Sequence, residues 1–191
     1  MTPNVLPEAY VPLKLANGNL AYQVLAVLLG TAFLAASSWI EVPMYPVPVT
    51  MQTFAVTLVG ALYGWRLGAV TVLAWLGEAM IGFPVLAGGA GGFVHFVGPT
   101  AGYLAGFVAA AAAAGFLAER GLTRNPLVSS LVMLIGNVIC LALGAAWLSY
   151  LFGFDIAWTS GVAPFLAGAV LKSALAAATI EIMRRRGLRL S

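Results

Sequence analysis

Ionisable side chains are scarce in this 191-residue chain, and their scarcity decides its class. Lys, Arg, Asp and Glu make up 8% of the residues while hydrophobic types reach 62%, against roughly 25% and 45–50% in soluble domains. So few charges cannot cover a water-exposed surface, and the chain reads as an integral membrane protein of about one domain. Its one cysteine, Cys140, lies inside an apolar run, which excludes an intrachain disulfide and leaves the redox compartment unmarked. One histidine, His95, beside one cysteine excludes a zinc site built from those ligands within one chain. No spacing sets His95 next to both a nucleophile and an orienting acid, so a serine-histidine hydrolase is excluded too. A phosphate-binding loop is missing, because GAVLKS at Gly168–Ser173 has no glycine before Lys172. The net charge of +3 is spread too thinly for nucleic-acid binding. The chain therefore reads as a non-enzyme without a cofactor, and any ATP hydrolysis must come from partner subunits. No cleavable signal is expected, since the first apolar run begins near Ala21 and is long enough to span.

What is abundant is apolar sequence in lengths near the twenty residues that a bilayer crossing requires. Six segments are expected to cross: 21–40, 49–65, 67–81, 99–118, 127–152 and 163–183. A mixed, proline-bearing tail (1–20) precedes this single membrane domain (21–183), and a basic tail (184–191) follows it. Pro43, Pro46 and Pro48 break the helix after the first span, Arg66 marks a tight turn, and 153–162 reads as a loop containing Asp155. Six crossings put both termini on one side. That side receives Lys14, Arg66, Arg120, Arg124, Arg184, Arg185, Arg186 and Arg189, which is eight of the nine Lys and Arg, while 41–48, 82–98 and 153–162 hold none. By the positive-inside rule the termini are cytoplasmic. An odd count would scatter the arginines over both faces. The expected fold is an all-α, six-helix membrane protein.

Residues 82–103, GFPVLAGGAGGFVHFVGPTAGY, fit neither a span nor an ordinary soluble loop. The stretch holds seven glycines, Pro84, Pro99 and His95, and no Lys, Arg, Asp or Glu. Glycine permits tight bends and close approach, and irregular backbone at membrane depth is tolerated where protein buries it or a cavity adjoins it. This outward-facing connection between the third and fourth spans is expected to form a wall or lid over a cavity. The plainer alternative is a surface hairpin with an apolar tip.

Two ionisable residues fall inside expected spans. Lys172 lies roughly 14 Å and 18 Å from the ends of its helix, and Glu78 about 17 Å from the cytoplasmic end, at 1.5 Å per residue. A charge at such depth marks a functional site by default, although the two could also simply neutralise each other. Asn137 sits at similar depth, where bridging helices is the commoner use. Ala32 with Ala36, Gly60 with Gly64 and Gly68, and Gly102 with Gly106 are small-xxx-small pairs that let helices approach closely. Trp39, Trp65, Trp158 and Tyr150 lie near span ends, where interfacial anchoring is expected.

Four stretches, in this order, resemble the BioY family, the biotin-specific substrate-binding (S) components of energy-coupling-factor (ECF) transporters. They are PVPVTMQTFAV (Pro46–Val56), EAMIGFPV (Glu78–Val85), GPTAGYLAGF (Gly98–Phe107) and PFLAGAVLKSALAA (Pro164–Ala177). The resemblance implies a six-helix protein of the bacterial cell (inner) membrane that captures biotin from outside. It further implies a membrane scaffold (T component), docked in that family through the small-residue pattern of the first helix, here Ala32 and Ala36, and two ABC-type ATPase subunits. Many members carry an acidic residue three positions before the lysine, where this chain has Ala169. On this reading Lys172 binds the ligand's carboxylate or ureido carbonyl, and Glu78, Asn137 or loop carbonyls meet the ureido N–H groups. Thr100, Tyr103, Trp75, Phe93, His95 and the 86–95 backbone close the site. The alternatives are capture of another vitamin such as thiamine or riboflavin, a passive small-solute pore, and, least favoured, a membrane-embedded enzyme.

Overall fold

The computed structural model describes residues 19–186. The two tails, with Lys14 and Arg189, lie largely outside the described residues. Apart from one very short strand pair, the described chain is helical. Helix α1 (Leu20–Ser38) starts where the Asn19 side chain accepts the Tyr22 N–H at 2.9 Å. Strands β1 (Glu41–Val42) and β2 (Val49–Thr50) pair antiparallel across the proline-rich turn. Then come α2 (Gln52–Met80), 3₁₀ turns at Ala87–Gly89 and Phe93–Phe96, and α3 (Ala101–Glu119). Helices α4 (Pro126–Phe152), α5 (Phe154–Gly161) and α6 (Ala163–Arg185) complete the described part. Asn125 caps α4 through its side chain, which accepts the Leu127 N–H at 2.9 Å, and Pro126 occupies the first turn, where its missing N–H costs nothing.

Five of these helices are long and apolar enough to cross a membrane. The longest, α2, is two arms rather than one rod. Gly64 has φ 82° and ψ 170°, a conformation open essentially to glycine alone. A Cβ on Gly68 would lie 2.8 Å from the Gly60 Cα, whereas eight residues of straight helix separate their ends by about 12 Å. The arms 52–63 and 65–80 therefore fold back on one another, close to the turn expected at Arg66.

Two expectations are corrected. Residues 153–162 are not a loop: Gly153, with φ 88°, ends α4 and lets α5 start at once. The stretch 41–48 is not merely a helix break, because the prolines leave the flanking residues free to pair as β1 and β2.

The arms of α2 pack on α3, α3 packs on α4, and α6 closes against α4 and the first arm of α2. A Cβ on Gly60 would run into the Ala111 carbonyl, and one on Gly106 would lie 2.9 Å from the Cys140 Cα, so these glycines set backbone-to-backbone contacts between helices. At one end of the bundle Ala61, Ala118, Ile180 and Met183 cluster, and the Glu119 carboxylate accepts the Trp65 N–H at 3.0 Å. This gathers Arg66, Arg120 and Arg184 at that end. Helix α1 packs on α2 alone among the helices it touches closely, with the Tyr63 hydroxyl donating to the Ala26 carbonyl at 2.9 Å. Its far face, including Leu25, Leu29, Ala32 and Ala36, is exposed.

Replacing Gly64 by Ala forces an L-residue into a region that costs on the order of 1–3 kcal/mol. The thermal unfolding midpoint in detergent is expected to fall. Gly77→Ala, whose added methyl meets nothing within 4 Å, is expected to leave the midpoint unchanged or slightly raised.

Candidate ligand cavity

At the end of the bundle away from the arginines lies a cavity of about 390 Å³. The β1–β2 turn, the start of α2, the glycine-rich segment, and α3, α4 and α6 all contribute to its walls. Most of the lining is apolar, with Leu86, Leu104, Phe107, Leu141 and Phe165 prominent. Lys172 is the lysine in it, and no aspartate or glutamate is among the described lining residues. Such a chamber, greasy with a few placed polar groups, is the usual form of a small-molecule site.

Lys172 lies mid-helix in α6, one turn from Ala169, and both side chains face the cavity. Its ammonium is buried and donates to the Thr50 carbonyl at 3.1 Å. The salt bridges among the described residues join Glu181 to Arg184 and Arg185, so Lys172 has no carboxylate beside it. Asn137, on α4, is fully buried. Its amide nitrogen donates to the Met133 carbonyl at 3.0 Å and the Ser173 hydroxyl at 3.1 Å, which leaves its carbonyl oxygen to offer the cavity. The Tyr103 ring stacks on Phe165 with centroids 6.0 Å apart, and its hydroxyl donates to the Gly161 carbonyl at 2.7 Å. That bond ties α5 over the cavity wall. Thr100 and His95 also line the cavity, and the Thr100 hydroxyl donates to the His95 carbonyl at 3.1 Å.

Lys172, Asn137, Thr100, Tyr103 and His95 are thus brought together, whereas Glu78, Trp75 and Phe93 are not among the lining residues. No residue of the second α2 arm reaches the cavity. Trp75 stands behind the wall: its ring packs on Phe107 at 5.8 Å and its indole N–H donates to the Val85 carbonyl at 3.0 Å. Glu78 is on that same arm, half-buried, and meets the loop through its backbone carbonyl, which accepts the Phe83 N–H at 3.1 Å. Position along a helix does not give the direction of a side chain, and Glu78 turns away from the cavity lining. Nor do Lys172 and Glu78 pair. Phe93 points outward and is 60% exposed.

The glycine-rich segment is a wall with fixed attachments. Gly92 donates its N–H to the Ala79 carbonyl at 2.7 Å, and Leu86 to the Ala90 carbonyl at 2.9 Å. Three indoles from three elements hold three of its carbonyls: Trp39 on Pro84 at 3.1 Å, Trp75 on Val85 at 3.0 Å and Trp147 on Gly98 at 2.8 Å. Trp39 therefore does more than anchor at an interface, and Trp147 drew no attention in the sequence because it sits inside an apolar span. Among the lining residues not singled out by the sequence are the polar Gln52 and Thr53. The Thr53 hydroxyl is buried with no hydrogen-bond partner among the described residues, a state that is costly unless something else meets it. Their place in PVPVTMQTFAV, at the foot of a span, was the available signal.

Trp75→Phe keeps an aromatic ring against Phe107 and deletes the bond to Val85, worth about 0.5–1.5 kcal/mol. Amide hydrogen exchange over 82–98 is expected to rise roughly two- to tenfold, with helical content unchanged by circular dichroism.

Known proteins share both the sequence and the shape of this chain. It is 35% identical over 161 residues to the probable biotin transporter BioY of Pyrococcus horikoshii, covering 84% of this chain and 95% of that protein. To the biotin transporter BioY of Rhizobium etli it is 37% identical over 147 residues, 72% of this chain and 78% of that one. The crystal structure of the S component for biotin from an ECF-type ABC transporter superposes with a TM-score of 0.79 at 28% identity, covering 90% of this chain and 95% of that one. A sequence profile of the BioY family matches residues 11–189, and the chain belongs to that family.

Proposed function

We propose that this protein captures biotin from the outer side of a bacterial cell membrane, as the substrate-specific component of an ECF-type transporter. The observation that carries the reading is the Lys172 ammonium, buried in a mostly apolar cavity that offers it a carbonyl and no carboxylate. A cation at that depth favours an anionic ligand group over an empty site. Biotin matches on three counts: an apolar bicycle for the Leu104, Phe107 and Phe165 walls, a carboxylate for Lys172, and ureido N–H donors for acceptors. The Asn137 carbonyl and the unpartnered Thr53 hydroxyl are the groups assigned to the ureido ring. They take the place of the acid that many relatives carry where this chain has Ala169.

Counting the two arms of α2 separately supports six crossings, and the arginines gathered at one end support cytoplasmic termini. The arginines then lie at the cytoplasmic end and the cavity at the outer end, as capture from outside requires. The exposed Ala32–Ala36 face of α1 suits close docking of a membrane scaffold, with two ABC-type ATPases supplying the energy.

Calorimetric titration of the purified chain with biotin, thiamine and riboflavin tests the ligand. Tight binding of biotin alone is expected; binding of another vitamin without biotin overturns the reading. Lys172→Met is expected to weaken biotin binding roughly ten- to hundredfold, the worth of about 1.5–3 kcal/mol for a hydrogen bond to a charged group. Biotin amide, which lacks the carboxylate charge, is expected to bind the native protein weakly and to lose little more in Lys172→Met.

A further inference from the structure

The Thr50 carbonyl that receives Lys172 belongs to the last residue of β2, and a chain of buried bonds leads from it away from the cavity. The Thr50 hydroxyl donates to the Gln52 side-chain oxygen at 2.9 Å, and the Gln52 backbone N–H returns to the Thr50 hydroxyl at 3.2 Å. The Gln52 amide nitrogen donates to the Ser38 hydroxyl at 3.0 Å, and Ser38 donates to the Leu34 carbonyl at 2.8 Å in α1. The direction of each link is determined. A hydroxyl has one proton, Thr50 spends its proton on Gln52 and Ser38 on Leu34, so only the amide can donate at Ser38. Ser38, Thr50 and Gln52 are all buried, so water cannot replace a lost link cheaply.

Closing the β1–β2 hairpin does not require these side chains. The ladder Glu41↔Thr50 and Val42↔Val49 does so, together with the Met51 N–H on the Ile40 carbonyl at 3.0 Å. What the Gln52 side chain adds is a clasp on Thr50 from one side and on α1 from the other. The peptide unit whose oxygen holds the ammonium is fixed at its N–H end by that Met51 bond, and the clasp adds a second hold on it through the Thr50 side chain.

We infer that Gln52 is a positioning residue for Lys172, acting through Thr50 with Ser38 as its anchor on α1. The inference rests on the reading that Lys172 binds the ligand. Gln52 itself lines the cavity and could touch a ligand directly, but Ser38 is not among the lining residues. An effect of Ser38 on binding travels either through the clasp or through its neighbour Trp39 to the wall, and only the first is coupled to Lys172.

The test is calorimetric titration with biotin of the full-length native protein, Ser38→Ala, Ser38→Thr, Lys172→Met and the double variant Ser38→Ala/Lys172→Met, with the thermal midpoint read on each. Ser38→Ala is expected to weaken binding roughly three- to tenfold, and Ser38→Thr, which keeps the hydroxyl, to stay within about twofold of native. In the Lys172→Met background Ser38→Ala is expected to cost nothing further, the signature of two residues acting as one unit. An unweakened Lys172→Met overturns the ligand reading of the lysine itself. A weakened Lys172→Met with a native Ser38→Ala, or with an undiminished Ser38 effect in the double variant, overturns the positioning role alone. Should Ser38→Ala fail to purify folded, Ser38→Cys, which keeps the side-chain shape but is only a weak donor and acceptor, carries the same comparison with the same two outcomes.

Discussion

Backbone polar groups carried into an apolar medium must find partners within the protein, since each one left bare costs several kcal/mol. Helices meet this demand internally, and most of the chain is helical for that reason. The glycine-rich segment between α2 and α3 cannot. Its answer is a set of borrowed donors: two short 3₁₀ turns, the Gly92 bond to Ala79, and the indole N–H groups of Trp39, Trp75 and Trp147 on three separate carbonyls. Tryptophan suits the task because one end of the side chain packs as a large apolar surface while the other donates. The segment is thereby held as a wall, and the cavity exists because the wall stands where it does.

The same demand acts on Lys172 with more force, because a charge is costlier to bury than a dipole. Thr50 meets part of it through a carbonyl at 3.1 Å. That carbonyl is free to do so because Glu41 and Thr50 face each other as a non-hydrogen-bonded pair, flanked by the Met51 N–H on Ile40, so the Thr50 carbonyl points away from β1. The tiny β1–β2 ladder, negligible as a sheet, is thus the element that brings a backbone acceptor to the middle of α6. With Ala169 one helical turn before it, Lys172 has no acid beside it on α6, and no carboxylate is among the described lining residues.

Small residues decide how much room is left. Gly60, Gly68 and Gly106 bring α2, α3 and α4 to backbone contact, and the free volume lies at the end away from the arginines, between α3, α4, α6 and the wall. Helix α1 takes little part in this core. Its outer face stays apolar and uncovered, and its end reaches the cavity walls through the Ser38–Gln52 bond and through Trp39 on the Pro84 carbonyl.

Much of this was legible in the sequence. The approximate span positions, the fold-back near Arg66, the gathering of arginines at one end, and the placing of residues 82–103 beside a cavity all follow from length, charge and glycine content. These are one-dimensional quantities, and 1.5 Å per residue turns them into depth. What only the tertiary structure decided is azimuth. The spans are apolar nearly all round, so no polar stripe tells which face looks inward. Glu78 and Lys172 share a depth, yet the second arm of α2 lies behind Phe107 and the loop while α6 turns Lys172 inward. For the same reason Trp147, Gln52 and Thr53 passed as ordinary span residues until packing showed what each one faces.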